Sequence, residues 1–230
     1  MKTSEETNCL DCLKSSKCFQ KLIPLELEFI NQNKIQILYA KGEHICKQGS
    51  FASYMLYIAD GLIRLFLESP SKKNVNIKIL KTSEFIGLSS LGGDDFHFYS
   101  AVTLRESTLC LIEKSNFRKL LLDNGAFATE MIKWYCLNEK FLFDRILSLG
   151  TKRMYGRLAD ALLYLCDPRF SDEGLFSYLT RKEIAGFAGL SAETTVRILQ
   201  EFKNEGIIEI SGKHIRVLDP DTLYYISRKG

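Results

Sequence analysis

The segment that decides the fold is Leu179–Leu199, which reads LTRKEIAGFAGLSAETTVRIL. Thr180 and Glu183 have the spacing of a capping box, in which the two residues satisfy each other's free backbone N–H groups at a helix start. A tight turn is predicted at Gly189, and Ser191 is a suitable N-cap for a second helix. Two short helices joined by a glycine-containing turn predict a helix-turn-helix.

The second helix carries two charged residues on one face near its N-terminal end, Glu193 and Arg197. That end of such a helix meets base edges in the DNA major groove. Arg can donate two hydrogen bonds to guanine, and Glu can accept one from cytosine. The alternative interpretation is an i,i+4 surface ion pair. We expect Val196, Leu199 and Phe202 to face the core.

A hairpin is predicted directly after the second helix. Ile207–Ile210 and His214–Val217 alternate as short strands around the turn Ser211-Gly212, with Lys213 beside its tip. This addition predicts a winged helix-turn-helix.

The rest of the chain divides by periodicity into a β-rich part and a helical part. From Ile35 to Cys110, short apolar runs alternate with turn signals, which is typical of an antiparallel sandwich or barrel. From Ser115 onward the period is helical. We predict an α+β fold with four segments: a Cys-rich N-terminus (1–22), an antiparallel β-domain (23–125), a long helix (126–149) and the winged helix-turn-helix (150–230).

Composition restricts the class of protein. Of 230 residues, 46% are hydrophobic and 26% are charged, which is typical of a soluble globular protein. No apolar run is long enough to span a bilayer, and the N-terminus does not resemble a signal peptide, so we expect a cytoplasmic protein. The net charge of +3 means that any contact with DNA comes from a local arrangement of cations.

At Leu179–Leu199 the chain resembles the CRP/FNR family of bacterial transcription regulators. The family pattern of a Glu followed four residues later by an Arg is filled by Glu193 and Arg197. The resemblance implies base contacts by this pair, a core half-site containing TGA, and RNA polymerase as a partner. It implies DNA backbone contacts at five further positions: Thr180, Arg181, Ser191, Thr194 and Lys213. The chain departs from relatives at Ala192 and Val196, where those carry Arg and Ser respectively.

The resemblance extends over the β-domain, where Lys41-Gly-Glu43 and Tyr57–Arg64 look like the β-roll of cyclic-nucleotide-binding proteins. In nucleotide-binding members, a Gly-Glu pair and an Arg-Ser pair hold the ribose and the phosphate. Here the corresponding pairs are Gly87-Leu88 and Tyr99-Ser100. Because the guanidinium partner of the phosphate is missing, we predict no cyclic-nucleotide binding.

The long helix is predicted to form the seam of a homodimer, as the family resemblance and a palindromic target both imply. Trp134, Leu137, Phe141 and Asp144 follow alternating spacings of three and four. The alternative is packing of this face on the chain's own β-domain. Asp144 would meet its symmetry mate, so Asp144→Ala is expected to strengthen dimerisation.

Three cysteines are concentrated near the N-terminus: Cys9, Cys12 and Cys18. Three thiolates so close together can wrap a soft metal or a cluster that takes a fourth ligand. Resemblance to iron–sulfur members of the family supplies Cys110 as that ligand and implies an oxygen-labile [4Fe–4S] cluster that favours the dimer. Cys46 is a reserve ligand, and a small buried hydrophobe is the alternative role of Cys110.

Two alternatives remain open from the sequence. The first is the same fold and DNA-binding role with another input: zinc, thiol oxidation, haem with nitric oxide, or a small organic ligand. The second is a metal enzyme in the β-domain, but the three histidines are scattered and form no paired ligand motif, so we expect no enzyme.

Overall fold

A computed structural model describes residues 18–70 and 74–230, together with the backbone of Lys2 and Thr3. Contacts divide the described chain into two compact units. The first unit lies within Met1–Glu68 and Lys78–Lys140, and the second within Ser69–Ile77 and Phe141–Gly230. No helix in the described part of the chain is long and apolar enough to cross a membrane.

The β-strands form two antiparallel sheets and a hairpin. Their bounds are β1 Lys2–Thr3, β2 Lys34–Tyr39, β3 His44–Cys46, β4 Tyr54–Asp60, β5 Leu62–Leu67, β6 Val75–Lys81, β7 Phe85–Ile86, β8 Ser100–Thr103, β9 Ser107–Glu113, β10 Ile208–Ser211 and β11 His214–Val217. One sheet has the order β1-β2-β9-β4-β7, the other has the order β3-β8-β5-β6, and β10 pairs with β11. The β-rich interpretation of residues 35–110 is confirmed.

The turn between β4 and β5 requires a glycine. Gly61 has a φ of +149°, and a Cβ there would come within 2.4 Å of the Ser107 side chain. Because residues with a side chain rarely adopt this conformation, the Asp60-Gly61 dipeptide fixes where the chain reverses.

The described part of the chain also contains seven α-helices: α1 Pro24–Gln32, α2 Lys114–Asp123, α3 Gly125–Thr151, α4 Met154–Leu165, α5 Arg181–Ala188, α6 Ala192–Asn204 and α7 Pro220–Lys229. Four short 3-10 helices in the same part of the chain lie at Phe19–Lys21, Leu88–Leu91, Pro168–Glu173 and Leu175–Ser177. Helix α3 runs two residues past the predicted end, because Gly150 does not interrupt it. One helical glycine costs only about 1 kcal/mol relative to alanine, too little to end a helix whose neighbouring turns are intact.

The core of the first unit is an aromatic cluster between the β9-containing sheet and the surrounding helices. The Phe19 ring lies 4.9 Å from Tyr57 and 5.8 Å from Phe127, centroid to centroid. Cys18 and Cys110 are buried in the same cluster. Cys110 lies on β9, the strand hydrogen-bonded to both β2 and β4. This core therefore joins the chain around Cys18 to a central strand and to the start of α3.

Candidate functional site

Helix α5 begins with the capping box expected from the sequence. The Glu183 N–H donates to Thr180 Oγ1 at 3.2 Å, and the Thr180 N–H donates to Glu183 Oε2 at 2.7 Å. Gly189 ends the helix with a φ of +62°. Ile184 and Phe187 face the core. The first helix of the predicted pair is confirmed, and the Thr180 hydroxyl is engaged inside the protein.

Ser191 caps the second helix, α6, as predicted. Its Oγ accepts from the Thr194 N–H at 3.1 Å and donates to Thr194 Oγ1 at 3.0 Å. Both hydroxyls therefore lie together at the start of α6. A helix N-terminus carries partial positive charge, so this end is suited to a DNA phosphate.

The prediction that Val196 faces the core is wrong. Its side chain is 49% exposed, and the core face of α6 is formed by Thr195, Ile198, Leu199 and Phe202. Glu193, Val196 and Arg197 share the open face with Gln200, since residues three and four apart lie on one side of a helix. The spacing of three from Glu193 to Val196 would have identified this apolar residue.

The open face of α6 does not carry the ion pair weighed as an alternative. Among the described residues, Arg197 pairs with Glu201: Nη1 donates to Glu201 Oε1 at 2.7 Å. It also donates to the Tyr155 hydroxyl at 3.3 Å. Glu193 is exposed one turn nearer the N-terminal end. Its carboxylate is thus placed to accept a hydrogen bond from a base.

The wing is present and is tied to the first helix. β10 and β11 pair in antiparallel register with Ser211 opposite His214. Arg181 Nη2 donates to the Gly212 carbonyl at 3.0 Å. Burial lowers the pKa of the Arg181 guanidinium. Arg181 therefore positions the wing tip, where Lys213 is exposed.

Helix α3 presents an open apolar face in a different register from the predicted seam. Ile132, Tyr135, Leu142 and Ile146 are between 43% and 67% exposed. With the exposed Glu139, they follow alternating spacings of three and four, the pattern of a coiled-coil seam. A carboxylate thus lies in the middle of this face, which we call the α3 stripe.

Two of the four predicted seam residues pack on their own chain. The Trp134 ring lies 5.7 Å from Phe85, and the Phe141 ring lies 5.1 Å from Tyr164. Leu137 and Asp144 are exposed. Trp134 and Phe141 therefore pack within the protomer, which was the alternative considered for this face, whereas the dimer role of Leu137 and Asp144 stays a prediction.

The structure describes two of the four predicted ligands of the iron–sulfur cluster. Cys9 and Cys12 lie outside the described residues. Cys18 and Cys110 are buried in one cluster, although 92 residues separate them in sequence. Cys18 Sγ lies 4.0 Å from the Glu130 backbone carbonyl on α3. Two soft sulfur donors in an apolar pocket are chemically suited to an iron–sulfur group.

Cys46, the reserve ligand, lies on β3 in the other sheet. Its thiol is 3.8 Å from the Tyr99 carbonyl, and burial raises the pKa of this thiol to about 12. Metals bind the thiolate, which is scarce at such a pKa. Nowhere in the described ranges do three His, Cys, Asp or Glu residues converge as a metal site.

The positions that the family resemblance assigns to nucleotide binding are engaged in internal hydrogen bonds here. The Gly87 N–H donates to the Tyr99 hydroxyl at 2.9 Å. Ser100 Oγ donates to Glu68 Oε1 at 2.5 Å. A phenol thus lies where a guanidinium would face a phosphate, and a carboxylate lies beside it. Both changes disfavour an anion.

Two protein-family models match the chain. A Crp-like helix-turn-helix domain matches residues 156–226, and a cyclic nucleotide-binding domain matches residues 36–124. Together they cover strands β3 to β9, most of β2, and the whole helix-turn-helix with its wing.

Two transcription regulators align with most of the chain. It is 25% identical to the "Transcriptional activator protein FnrA" of Stutzerimonas stutzeri, over 95% of this chain and 92% of that protein. It is 26% identical to the "Anaerobic regulatory protein" of Bacillus subtilis (strain 168), over 76% of both chains.

Solved structures share the fold. FixK2 from Bradyrhizobium japonicum superimposes with a TM-score of 0.74 at 22% identity, covering 84% of this chain and 96% of that chain. A transcriptional regulator of the crp/fnr family from Eubacterium rectale gives a TM-score of 0.72 at 20% identity, covering 93% and 98%.

Proposed function

The chain belongs to the CRP/FNR family of DNA-binding transcription regulators, and we propose that α6 reads a palindromic site with a TGA-containing half-site. Members of this family are transcription regulators rather than enzymes. The observation that carries the proposal is the open face of α6, which presents an acceptor, an apolar group and a guanidinium in sequence. We further propose that the protein acts in the cytoplasm and contacts RNA polymerase.

Each group on this face is suited to a different base edge. Arg197 donates to guanine O6 and N7, and Glu193 accepts from cytosine N4. Val196 is exposed beside them, and we propose that it contacts a thymine methyl group. These three chemistries match a half-site that contains T·A and G·C pairs.

Five residues are proposed to bind the DNA backbone. Ser191 and Thr194 lie at the N-terminus of α6, and Lys213 lies at the wing tip. Thr180 and Arg181 have internal partners, the capping box and Gly212 respectively. We therefore propose that these two residues position the start of α5 and the wing against the phosphates. Any direct contact with a phosphate is made by those of their N–H and O–H groups that form no internal hydrogen bond.

A binding assay tests the reading of bases. Arg197→Ala is expected to lose about 1–3 kcal/mol at a TGA-containing palindrome, with little change on scrambled DNA. Fluorescence anisotropy at fixed salt measures both affinities. A variant that weakens both DNAs equally would contradict base reading by Arg197.

The palindrome requires a two-fold dimer, and CRP/FNR family members are dimeric. We propose that the dimer forms through the α3 stripe. Its exposed side chains are aliphatic or aromatic at four positions, and their heptad spacing suits a parallel pair of helices. Glu139 would meet its symmetry mate, which weakens the dimer and makes it conditional.

We propose that the input is oxygen or redox state, sensed at Cys9, Cys12, Cys18 and Cys110. A [4Fe–4S] cluster bound there would supply oxygen-sensitive redox chemistry. Support comes from the two described ligands, which lie in one apolar core. Cys18 also contacts α3 through Glu130, so the N-terminal thiols would hold their segment against the dimer helix.

Anaerobic purification tests this input. The expected protein contains iron and sulfide and has visible absorbance that air bleaches. Cys110→Ser is expected to lose both, while Cys46→Ser, in the other sheet, keeps them. A colourless anaerobic protein without iron would contradict the cluster and leave DNA binding intact.

A different input is the second candidate, favoured by a cavity in the first unit. The cavity has a volume of about 260 Å³, and its lining includes Tyr39, Cys46, Tyr54 and His97. Burial lowers the pKa of His97, which favours the neutral form of its imidazole. Such a lining suits a small uncharged organic ligand better than a phosphate.

A further inference from the structure

Tyr155 connects the start of α4 to the recognition helix within the second unit. It is the second residue of α4 and lies four residues after Thr151, the last residue of α3. The Tyr155 ring lies 6.1 Å from the ring of Phe202, centroid to centroid. Phe202 is fully buried on the core face of α6. The Tyr155 ring is therefore anchored on α6, and its hydroxyl is carried to the edge of the open face.

The hydroxyl completes a three-way contact with two residues of α6. Tyr155 Oη donates to Glu201 Oε2 at 2.5 Å. Arg197 Nη1 donates to Glu201 Oε1 at 2.7 Å and to Tyr155 Oη at 3.3 Å. The contacts with Tyr155 and Glu201 raise the pKa of Arg197, and those with Tyr155 lower the pKa of Glu201. Each of the three groups thus contacts the other two.

These contacts leave part of the guanidinium available. They are made by Nη1, and a guanidinium has five N–H donors in a rigid fork. Nη2 and Nε can still donate to the two acceptors of a guanine edge. Holding Nη1 restrains the plane of the fork and leaves its other edge for a base in the groove.

Fixing this side chain matters because a free arginine is flexible. Ordering one rotamer-rich side chain on binding weakens affinity by about three- to tenfold. An exposed i,i+4 ion pair alone orders the side chain weakly, because solvent and salt screen the attraction. Tyr155 adds a neutral partner whose own ring is held by packing against Phe202.

We propose that Tyr155 and Glu201 are positioning residues that hold Arg197 for guanine and so set the base selectivity of α6. The inference rests on the proposed function of Arg197. Neither residue needs to touch DNA. The double-stranded DNA partner is recognised by Arg197, and Tyr155 and Glu201 reduce the ordering that this recognition requires.

The test compares two 30-base-pair palindromes that differ only by a G·C to A·T change in each half-site. Tyr155→Phe removes only the hydroxyl and keeps the ring on Phe202. Its preference for the G·C site is expected to fall about three- to tenfold, the factor for pre-ordering one side chain. Affinity for scrambled DNA and the salt slope are expected to stay as in the wild type, because the charge is unchanged.

A second variant separates positioning from charge. Glu201→Ala removes a carboxylate near DNA, so affinity for all sequences rises, yet the preference for the G·C site is expected to fall as in Tyr155→Phe. Tyr224→Phe changes an exposed tyrosine of α7 and is the matched control with unchanged preference. Thermal unfolding of each variant checks that the fold is retained.

Arg197→Ala, measured in the same assay, distinguishes failure of the positioning role from failure of base reading by Arg197. If it abolishes the preference and Tyr155→Phe leaves it unchanged, the positioning role is wrong and base reading by Arg197 stands. If Arg197→Ala has no effect on the preference, base reading fails and positioning fails with it. Tighter specific binding by Tyr155→Phe would show that the contacts restrain Arg197 away from DNA, which overturns the inference.

Discussion

At the scale of single residues, the recognition helix depends on which side chains remain available to DNA. Glu193 and Val196 are exposed and do not pack in the core. Ser191 and Thr194, in contrast, are hydrogen-bonded to each other at the start of the helix. Thr195, at the next position, is fully buried and donates to the Ser191 carbonyl at 2.9 Å. One face of this 13-residue helix thus presents side chains to DNA, and the opposite face packs in the core and fixes the orientation of the helix.

Val196 is expected to read a thymine methyl group. Replacing the half-site thymine by uracil removes one methyl, which should cost the wild type about 0.8 kcal/mol per half-site. Val196→Ala should lose most of this sensitivity, because its shorter side chain does not reach the methyl. Anisotropy titrations with thymine and uracil duplexes measure the difference. Equal sensitivity in both proteins would exclude the contact.

Lys213 is expected to act on all sequences alike. Lys213→Ala should weaken binding to cognate and scrambled DNA by the same factor and lower the salt slope by about 0.9, the value for one phosphate contact. Affinities measured across a salt series give the slope. A loss confined to the cognate site would mean that Lys213 reads bases.

The cysteines differ in reactivity because burial differs. Burial raises the pKa of Cys46 to about 12, so little thiolate forms at pH 8, whereas Cys136 is exposed. Iodoacetamide at pH 8 is expected to label Cys136 and to spare Cys46 until the protein unfolds, as read by peptide mass spectrometry. Rapid labelling of Cys46 in the folded protein would restore it as a candidate ligand.

At the scale of elements, helix α3 serves two surfaces at once. One side is covered by its own chain through Met131, Trp134 and Arg145, and the other carries the α3 stripe. Arg145 Nη2 donates to the backbone carbonyls of Asn76 and Phe187 in the second unit. A helix committed on one side to its own protomer has its opposite side left for a partner.

The α3 stripe makes a specific prediction about the dimer. Glu139→Leu removes like-charge repulsion and adds apolar surface, so sedimentation equilibrium should show tighter dimers in air. Asp144→Ala is the control: at ~100° per residue, Asp144 lies about 140° around the helix from Glu139. Tightening by Asp144→Ala but not by Glu139→Leu would place the seam where the sequence alone suggested it.

Sequence periodicity could not choose between these two seams. The sets beginning at Ile132 and at Trp134 both follow spacings of three and four. The choice depends on tertiary packing, because Phe85 and Tyr164 cover Trp134 and Phe141. The contact between Tyr155 and Arg197 could not be predicted from the sequence either, because the two residues lie 42 positions apart and belong to no common sequence motif.

Across the whole molecule, short sequence motifs predicted the features that depend on neighbouring residues. The capping box at Thr180, the Gly189 turn and the wing follow from short-range rules and are confirmed. The β-rich part was predicted from its turns, and Gly61 shows why such a turn signal is reliable. Partners distant in sequence, such as Arg181 with Gly212, required the folded chain.

The proposed function depends on α6 reading a TGA-containing palindrome through Glu193 and Arg197. The most direct test is the ratio of affinities for that palindrome and a scrambled duplex of the same composition, measured at one salt concentration with reduced, anaerobic protein. We expect a preference of about 10³-fold or more for the palindrome, within the range of specific regulators. Arg197→Ala should lose most of that preference. Equal affinity of the wild type for both duplexes would exclude base reading by α6.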